Sequence, residues 1–397
     1  MKSSRQGLQL RSQERQTLDI QQTRNFVTGL LGEDLHAKRV LSLANGVVGV
    51  LHAAMLGISA IGQAYAKVAG IKAKSGTKQI DRLLSNQGVH LDILFRSWVK
   101  FVVGPRVDIV VALDWTEFDK DDHSTLCAYL VTRHGRATPM MWRTVQKSQL
   151  KGKRSSIEFD LLTTLNDVLP TTVDGVTVLA DRGFGSTEFY AHIEALGWAY
   201  VIRFRGCIHV EDAKSLETRP AEEWLSPSGR AKKFVAPRVT QARIEVPAVV
   251  VVKAKKMADA WFLATSLKDA RASEVVKLYG KRWSIETTFR DTKDLHFGMG
   301  LSATHIRNAQ RRDRLMFLLA IAHALLTLLG AASERVGFDK MLKSNTSKKR
   351  THSLYRQGHY YYHSISHMRD DWLLTLMTAF DEVVREHEVF ETAFGTL

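Results

Sequence analysis

The chain has 397 residues, 45% of them hydrophobic and 24% charged, enough for two or three domains with real cores, and this argues against disorder or a fibrous repeat. Its 56 Lys and Arg against 41 Asp and Glu leave a formal charge of +15, which favours a polyanionic partner such as DNA or RNA, or an anionic membrane surface. The two cysteines, Cys127 and Cys207, exclude a disulfide framework and a Cys-rich zinc module and fit a reducing, cytoplasmic setting.

In chain order, the start Met1-Lys2-Ser3-Ser4-Arg5-Gln6-Gly7 lacks the apolar stretch of a secretion signal. Apolar residues at helical spacing predict helices over 53–66 and 80–102, joined by a basic connector over 67–78. The first 100 residues hold 14 Lys and Arg against 6 Asp and Glu, so more than half of the excess charge lies in the first quarter. A DNA-gripping amino-terminal domain has that balance, and so does a solvated basic helix pair.

After Pro105 the pattern turns to strands. Residues 107–113 form a β-branched, apolar run ending at Asp114, and 126–131 with 137–144 flank a His134-Gly135-Arg136 turn as a hairpin. A helix over 157–168, a buried strand over 176–180 ending at Asp181, a helix over 186–196 and a strand over 199–204 follow. Asp119, Asp121 and Asp122 read as solvated loop charges. Between 206 and 259 lie Pro220, Pro227, Pro237 and Pro247, with alternation over 235–252, which predicts an inserted β-rich subdomain. A long helix is expected from about Ala270, and the chain reads as helical from Leu301 to its end, broken by a basic loop over 340–350. The apolar run 315–329 carries His323 and is short for a membrane span, so it reads as a buried helix. His359, His363 and His367 recur at i, i+4, i+8 beside three tyrosines; without a nearby Cys they read as a polar helix face near DNA or a partner rather than a zinc site.

The chemistry concentrates in Tyr279-Gly280-Lys281-Arg282-Trp283-Ser284-Ile285-Glu286, running on to Lys293. At about 100° per residue, Arg282, Glu286 and Lys293 fall roughly 60°, 20° and 40° to one side of Tyr279. One carboxylate therefore shares a helix face with two cations and a phenol, groups suited to gripping phosphate. Asp114 and Asp181, each after an apolar strand, would converge with Glu286 at one sheet edge, an oxygen-only ligand set suited to Mg²⁺. Two such ions serve phosphodiester cleavage or transfer. Taken singly, each Asp reads better as a turn residue or helix cap. The Gly183-Phe184-Gly185 stretch is a short glycine loop that usually makes only a turn.

Tyr279, Arg282, Glu286 and Lys293 match Y-x2-R-x3-E-x6-K at every spacing, and "VALDWT" around Asp114 and "LADRGF" around Asp181 resemble first and second catalytic aspartate motifs. In these residues the chain resembles bacterial insertion-sequence DDE transposases, specifically the insertion sequence four family, over roughly 107–300. The resemblance implies an α/β fold: an RNase H-like mixed-sheet core with a β-rich insertion, flanked by helical amino- and carboxy-terminal regions. The expected divisions are a basic, helical, DNA-end-binding domain over 1–105, core segments over 106–205 and 263–330, the insertion over 206–262, and a helical region over 331–397 that would mediate dimer contacts. It further implies binding of terminal inverted repeats, pairing of two ends as a homodimer, excision through a hairpin end and joining of 3′ ends to target DNA. Asp114, Asp181 and Glu286 would hold two Mg²⁺ ions, with Mn²⁺ as substitute. Tyr279, Arg282 and Lys293 would contact end-proximal phosphates. Trp261, in "WFLATS", is similar to a family tryptophan that stacks on a flipped base; a core residue at a strand start explains it equally well. No membrane is expected as partner, and the protein would be cytoplasmic and nucleoid-associated when on DNA. A nuclease on the same core without strand transfer, and a non-catalytic DNA-binding derivative, remain the alternatives; the four-residue spacing argues against the first and the intact acids against the second.

Overall fold

The computed structural model describes residues 20–132, 136–294 and 298–385. The hairpin turn at 134–135 and the first 19 residues of the basic amino-terminal segment lie outside them.

The amino-terminal region is helical: α1 over 20–31, α2 at Ala37–Ala53, α3 at Ile58–Val68, α4 at Ala73–Ser85 and α5 at Leu91–Val103. Two expectations are corrected here. The helix expected over 53–66 starts only at Ile58: Ala53 is the last residue of α2, which Ala54 closes by turning left-handed (φ 50°) and giving its N–H to the Val50 carbonyl, and α3 leaves the break at 98° to α2. The helix expected over 80–102 is two, parted by the turn at 86–90, and half of the basic connector before it, 73–78, is α4 itself. The first turns of α4, Ala73 to Lys78, carry Ala73 as their only apolar side chain, so no apolar period shows before Ile80.

The core strands are β1 (Asp108–Phe118), β2 (His123–Leu130), β3 (Thr138–Gln146), β4 (Gly175–Ala180) and β5 (Ala199–Arg203), with α6 (Arg154–Val168) and α7 (Thr187–Ala195) between them. β3, β2 and β1 run as an antiparallel meander, and β4 and β5 add in parallel beside β1, giving the order β3-β2-β1-β4-β5. The apolar runs 109–113 and, half-buried Thr177 apart, 176–180 are buried on both faces, as parallel pairing inside a covered sheet requires.

From the inserted segment come β6 (His209–Glu211), β7 (Thr218–Pro220), β8 (Lys232–Val235), β9 (Arg238–Val239), β10 (Ile244–Glu245) and β11 (Ala248–Val252), and β12 (Trp261–Thr265) follows. β12, β11 and β8 extend the main sheet to eight strands by antiparallel pairing onto β5, whereas β10, β9, β6 and β7 form a separate four-stranded sheet. The molecule is thus an RNase H-like mixed α/β core with flanking helices, the fold class read from the sequence.

The helix expected from Ala270 is interrupted. α8 (Ala272–Gly280) and α9 (Ser284–Lys293) are joined by a tight 3₁₀ turn at Lys281–Trp283, within the motif itself. After it run α10 (Ala309–Arg335), α11 (Leu354–Ser364) and α12 (Asp370–Arg385). α10 has the length and apolarity to cross a membrane, yet its apolar window is wholly buried inside the protein. Around it Phe317 meets Phe95 and Trp98 of α5 and Trp142 of β3, while Trp98 Nε1 donates to the Pro139 carbonyl at 3.0 Å and Trp142 Nε1 to that of Asp313 at 3.1 Å. The amino-terminal helices therefore share one apolar core with the main sheet.

Candidate active site

Strand register sets the first two carboxylates. The last parallel pair of β1 and β4 is Leu113 with Ala180, so Asp114 and Asp181 are the next residues on adjacent strands. Asp114 does not end its strand, contrary to expectation: β1 continues to Phe118 because β2 keeps pairing with it through Phe118 and His123 after β4 has stopped. Asp181 leaves β4 as the cap of a 3₁₀ turn, its Oδ1 accepting from the Gly183 N–H at 2.8 Å. The Gly183 amide is thus spent on Asp181.

Alternation along β1 sends Asp114 and Thr116 to one face and Trp115 and Glu117 to the other. α9 covers the first. It is fastened to the start of β3 by buried Thr288, whose hydroxyl receives the Ala137 N–H at 2.9 Å and donates to the Ala137 carbonyl at 3.0 Å, and by an ion pair between Arg136 and Asp291. Phe289 adds an edge-on contact to Tyr129 of β2.

That docking carries the motif residues to β1. Arg282, in the 3₁₀ turn, places Nη2 3.3 Å from Asp114 Oδ2 and Nη1 3.7 Å from Glu286 Oε1, so one guanidinium spans two of the three candidate acids. Its Nε is buried without a hydrogen-bond partner. Lys293 reaches the same strand face two residues along, donating to Thr116 Oγ1 at 2.7 Å, with Nζ 5.1 Å from the Phe118 ring centre. Tyr279 is buried, edge-on to Trp261 at 4.9 Å between ring centres. Trp261 itself is part-buried at the start of β12. Asp114, Arg282 and Glu286 are thus in direct contact, Asp181 is beside Asp114, Tyr279 pairs with Trp261, and Lys293 turns to β1.

Burial pushes the Asp114 carboxyl up to about 6, against the pull of Arg282; Asp181 and Glu286 push the same way as burial. Burial likewise takes the Tyr279 phenol up to about 12, and it lowers Lys293. Asp114 is therefore a carboxylate short of positive charge, and the donors available to a cation are hard oxygens, which fits a divalent ion such as Mg²⁺ in chemical kind. Among the described residues no three His, Cys, Asp or Glu side chains stand close enough to hold a metal as they are; Arg282 lies between Asp114 and Glu286, and its guanidinium has to shift for both to ligate one ion.

Three groups were not legible as site residues. Glu158 of α6 is buried on the opposite face of β1, where it accepts from Trp115 Nε1 at 2.7 Å; burial raises its carboxyl to about 7, and Asp181 pushes it the same way. Arg154 lies over the Trp115 ring at 4.9 Å. Asp121, expected in solvent with Asp119 and Asp122, is 5% exposed and pairs with fully buried Arg312, which also donates to His123 Nδ1 at 3.0 Å and covers Phe118. The Asp-Trp pair at 114–115 is the one sequence hint of the Glu158 contact; a Glu inside an amphipathic helix otherwise looks like any solvated acid.

Residues 148–325 match a family model described as a transposase DDE domain. The span takes in Asp181 and Glu286 and begins after Asp114. No curated protein matches the chain. The match supports a DDE transposase, an enzyme of phosphoryl transfer in a class generally dependent on divalent metal ions.

Proposed function

We propose that this protein is a cut-and-paste DNA transposase of the insertion sequence four type, which binds the terminal inverted repeats of its element, cuts the element free and joins its 3′ ends to target DNA. The observation that carries the reading is that Asp114 and Asp181 each follow the last β1–β4 pair, Leu113 with Ala180, and that Arg282 bridges Asp114 to Glu286. A sheet edge with two adjacent acids, opposed by a helix bringing a third acid and its own arginine, suits phosphodiester chemistry far better than a binding surface.

In this reading Asp114, Asp181 and Glu286 hold two Mg²⁺ ions, or Mn²⁺ in their place. When bound, such ions supply an activated oxygen nucleophile and stabilise the leaving oxygen. Arg282 positions Asp114 and Glu286 and, by yielding one of them, turns its guanidinium to the scissile strand, where a planar fork suits a phosphate. Lys293, fixed to Thr116, keeps positive potential beside Asp114 and grips the same strand's backbone. Tyr279 borders the site and backs Trp261, which stacks on a base turned out of the element end. The amino-terminal region, 1–105, recognises end DNA, and the carboxy-terminal helices join two copies as a homodimer across two ends.

The full-length protein, a plasmid carrying the element with its own flanking repeats, and Mg²⁺ test the proposal together. Release of the element and its insertion into a second plasmid supports it. Cutting without joined products favours the nuclease alternative, and binding without cutting favours a non-catalytic derivative.

A further inference from the structure

α3 and α4 are joined by only four residues, 69–72, with Gly70 at φ +66° making the turn. Their backbones touch where they cross: a Cβ on Gly62 would lie 2.3 Å from Thr77 Cα, and one on Gly76 2.2 Å from the Gly62 carbonyl oxygen. Two helices locked this closely through a short glycine turn make a rigid helix-turn-helix.

The inner face of α4 is fixed to the rest of the protein. Ile80, Leu83 and Leu84 are buried, and Arg314 of α10 donates from Nη1 to the Leu84 carbonyl and from Nε to the Val89 carbonyl, both at 3.0 Å. Asp81, the one acid on α4, is held by Arg311 at 2.7 Å. The outer face carries Lys74, Ser75, Lys78, Gln79 and Arg82, all exposed. At about 100° per residue these five fall within an arc of roughly 140°, opposite the buried side. Lys67 and Lys72 are exposed beside the turn.

We infer that α4 is a recognition helix that enters the major groove of duplex DNA, with Gln79 and Arg82 reading base edges and Lys74 and Lys78 holding the flanking phosphates. The inference rests on the transposase reading and locates its end-sequence recognition. Gln and Arg are the side chains that make two-pronged contacts with adenine and guanine edges, while lysines on the same face supply sequence-independent grip. The partner is duplex DNA because the major groove of B-form DNA admits a helix and that of A-form RNA does not. The inner-face contacts matter to the same end: a reading helix has to be held in register, and Arg311 and Arg314 hold this one from behind.

The test is selection from a pool of randomised duplex DNA by the full chain, followed by binding of the enriched duplex across a salt series. The wild type should enrich one motif, and Asp181→Ala should enrich the same one, since no cutting is involved. Gln79→Ala and Arg82→Ala should each lose roughly 5- to 150-fold of discrimination at a single, different base pair. Lys78→Ala should weaken all duplexes alike and reduce the slope of log affinity against log salt by about 1. Exposed positions leave the fold intact, so unchanged thermal unfolding accompanies each variant. An unchanged motif in both Gln79→Ala and Arg82→Ala, or no motif from the wild type, overturns the inference. A motif lost in these variants with no cutting by the wild type leaves α4 a DNA reader and defeats only the transposase reading.

Discussion

Asp114, within β1, and Asp181, just past the end of its parallel neighbour β4, each follow by one residue the last pair those strands share, Leu113 with Ala180. Burial holds the Asp114 carboxyl near 6 instead of 3.8, and the charge of Asp181 pushes it the same way. The folded protein keeps that proton up to about pH 6 and the unfolded chain only to about 3.8, so unfolding releases it and stability falls as the pH rises through this window. Thermal unfolding without divalent ions should show the wild type losing up to about 2–3 kcal/mol relative to Asp114→Asn between pH 4 and pH 7. A difference that stays flat with pH contradicts the burial of this charge.

Glu158 carries the same sign on the other face of β1. Its carboxyl is raised to about 7, so its contribution to stability is also lost as the pH rises from about 4.5 to 7. Glu158→Gln keeps an acceptor for Trp115 Nε1 and should flatten that part of the profile, while Glu158→Ala should also blue- or red-shift Trp115 fluorescence by freeing the indole N–H. Identical profiles and spectra for wild type and Glu158→Ala would show that the pair does not form.

Arg282 is expected to be irreplaceable by lysine. A single ammonium cannot span Asp114 and Glu286 as the guanidinium does, so Arg282→Lys should reduce excision at least tenfold, and Arg282→Ala should also cost about 1–3 kcal/mol by leaving Asp114 uncompensated. Excision at the wild-type rate by Arg282→Ala removes it from the site.

Trp261 tests the hairpin step. Base stacking on an aromatic ring returns about 1–3 kcal/mol, comparable with the cost of unstacking a base. Trp261→Ala should slow hairpin formation more than the first nick on labelled end DNA. Equal loss of both steps with a large drop in melting temperature instead makes Trp261, packed on Tyr279, a structural residue.

The sheet and the acids were legible because buried parallel strands leave unbroken β-branched runs and because Asp114 and Asp181 interrupt two of them at the same depth. Helix ends were less so. The break at Lys281–Trp283 is a change of hydrogen-bond spacing with no Gly-Pro marker strong enough to show it, and it brings Arg282 to Asp114 in a way an unbroken helix would not define. The apolar residues of α4, Ile80, Leu83 and Leu84, all lie in its second half, so its polar first half read as a connector. Long-range partners such as Arg312 for Asp121, 191 positions apart, leave no local trace in either segment.

The most direct test of the account is end cleavage and strand transfer by purified wild type and by Asp114→Ala, Asp181→Ala and Glu286→Ala, each with Mg²⁺, on labelled duplex ending in the element's own repeat. The wild type should cut the end and join its 3′ strand to target DNA, and each variant should bind the end but lose both reactions by several orders of magnitude. Robust Mg²⁺-dependent cutting by Asp181→Ala would contradict the account.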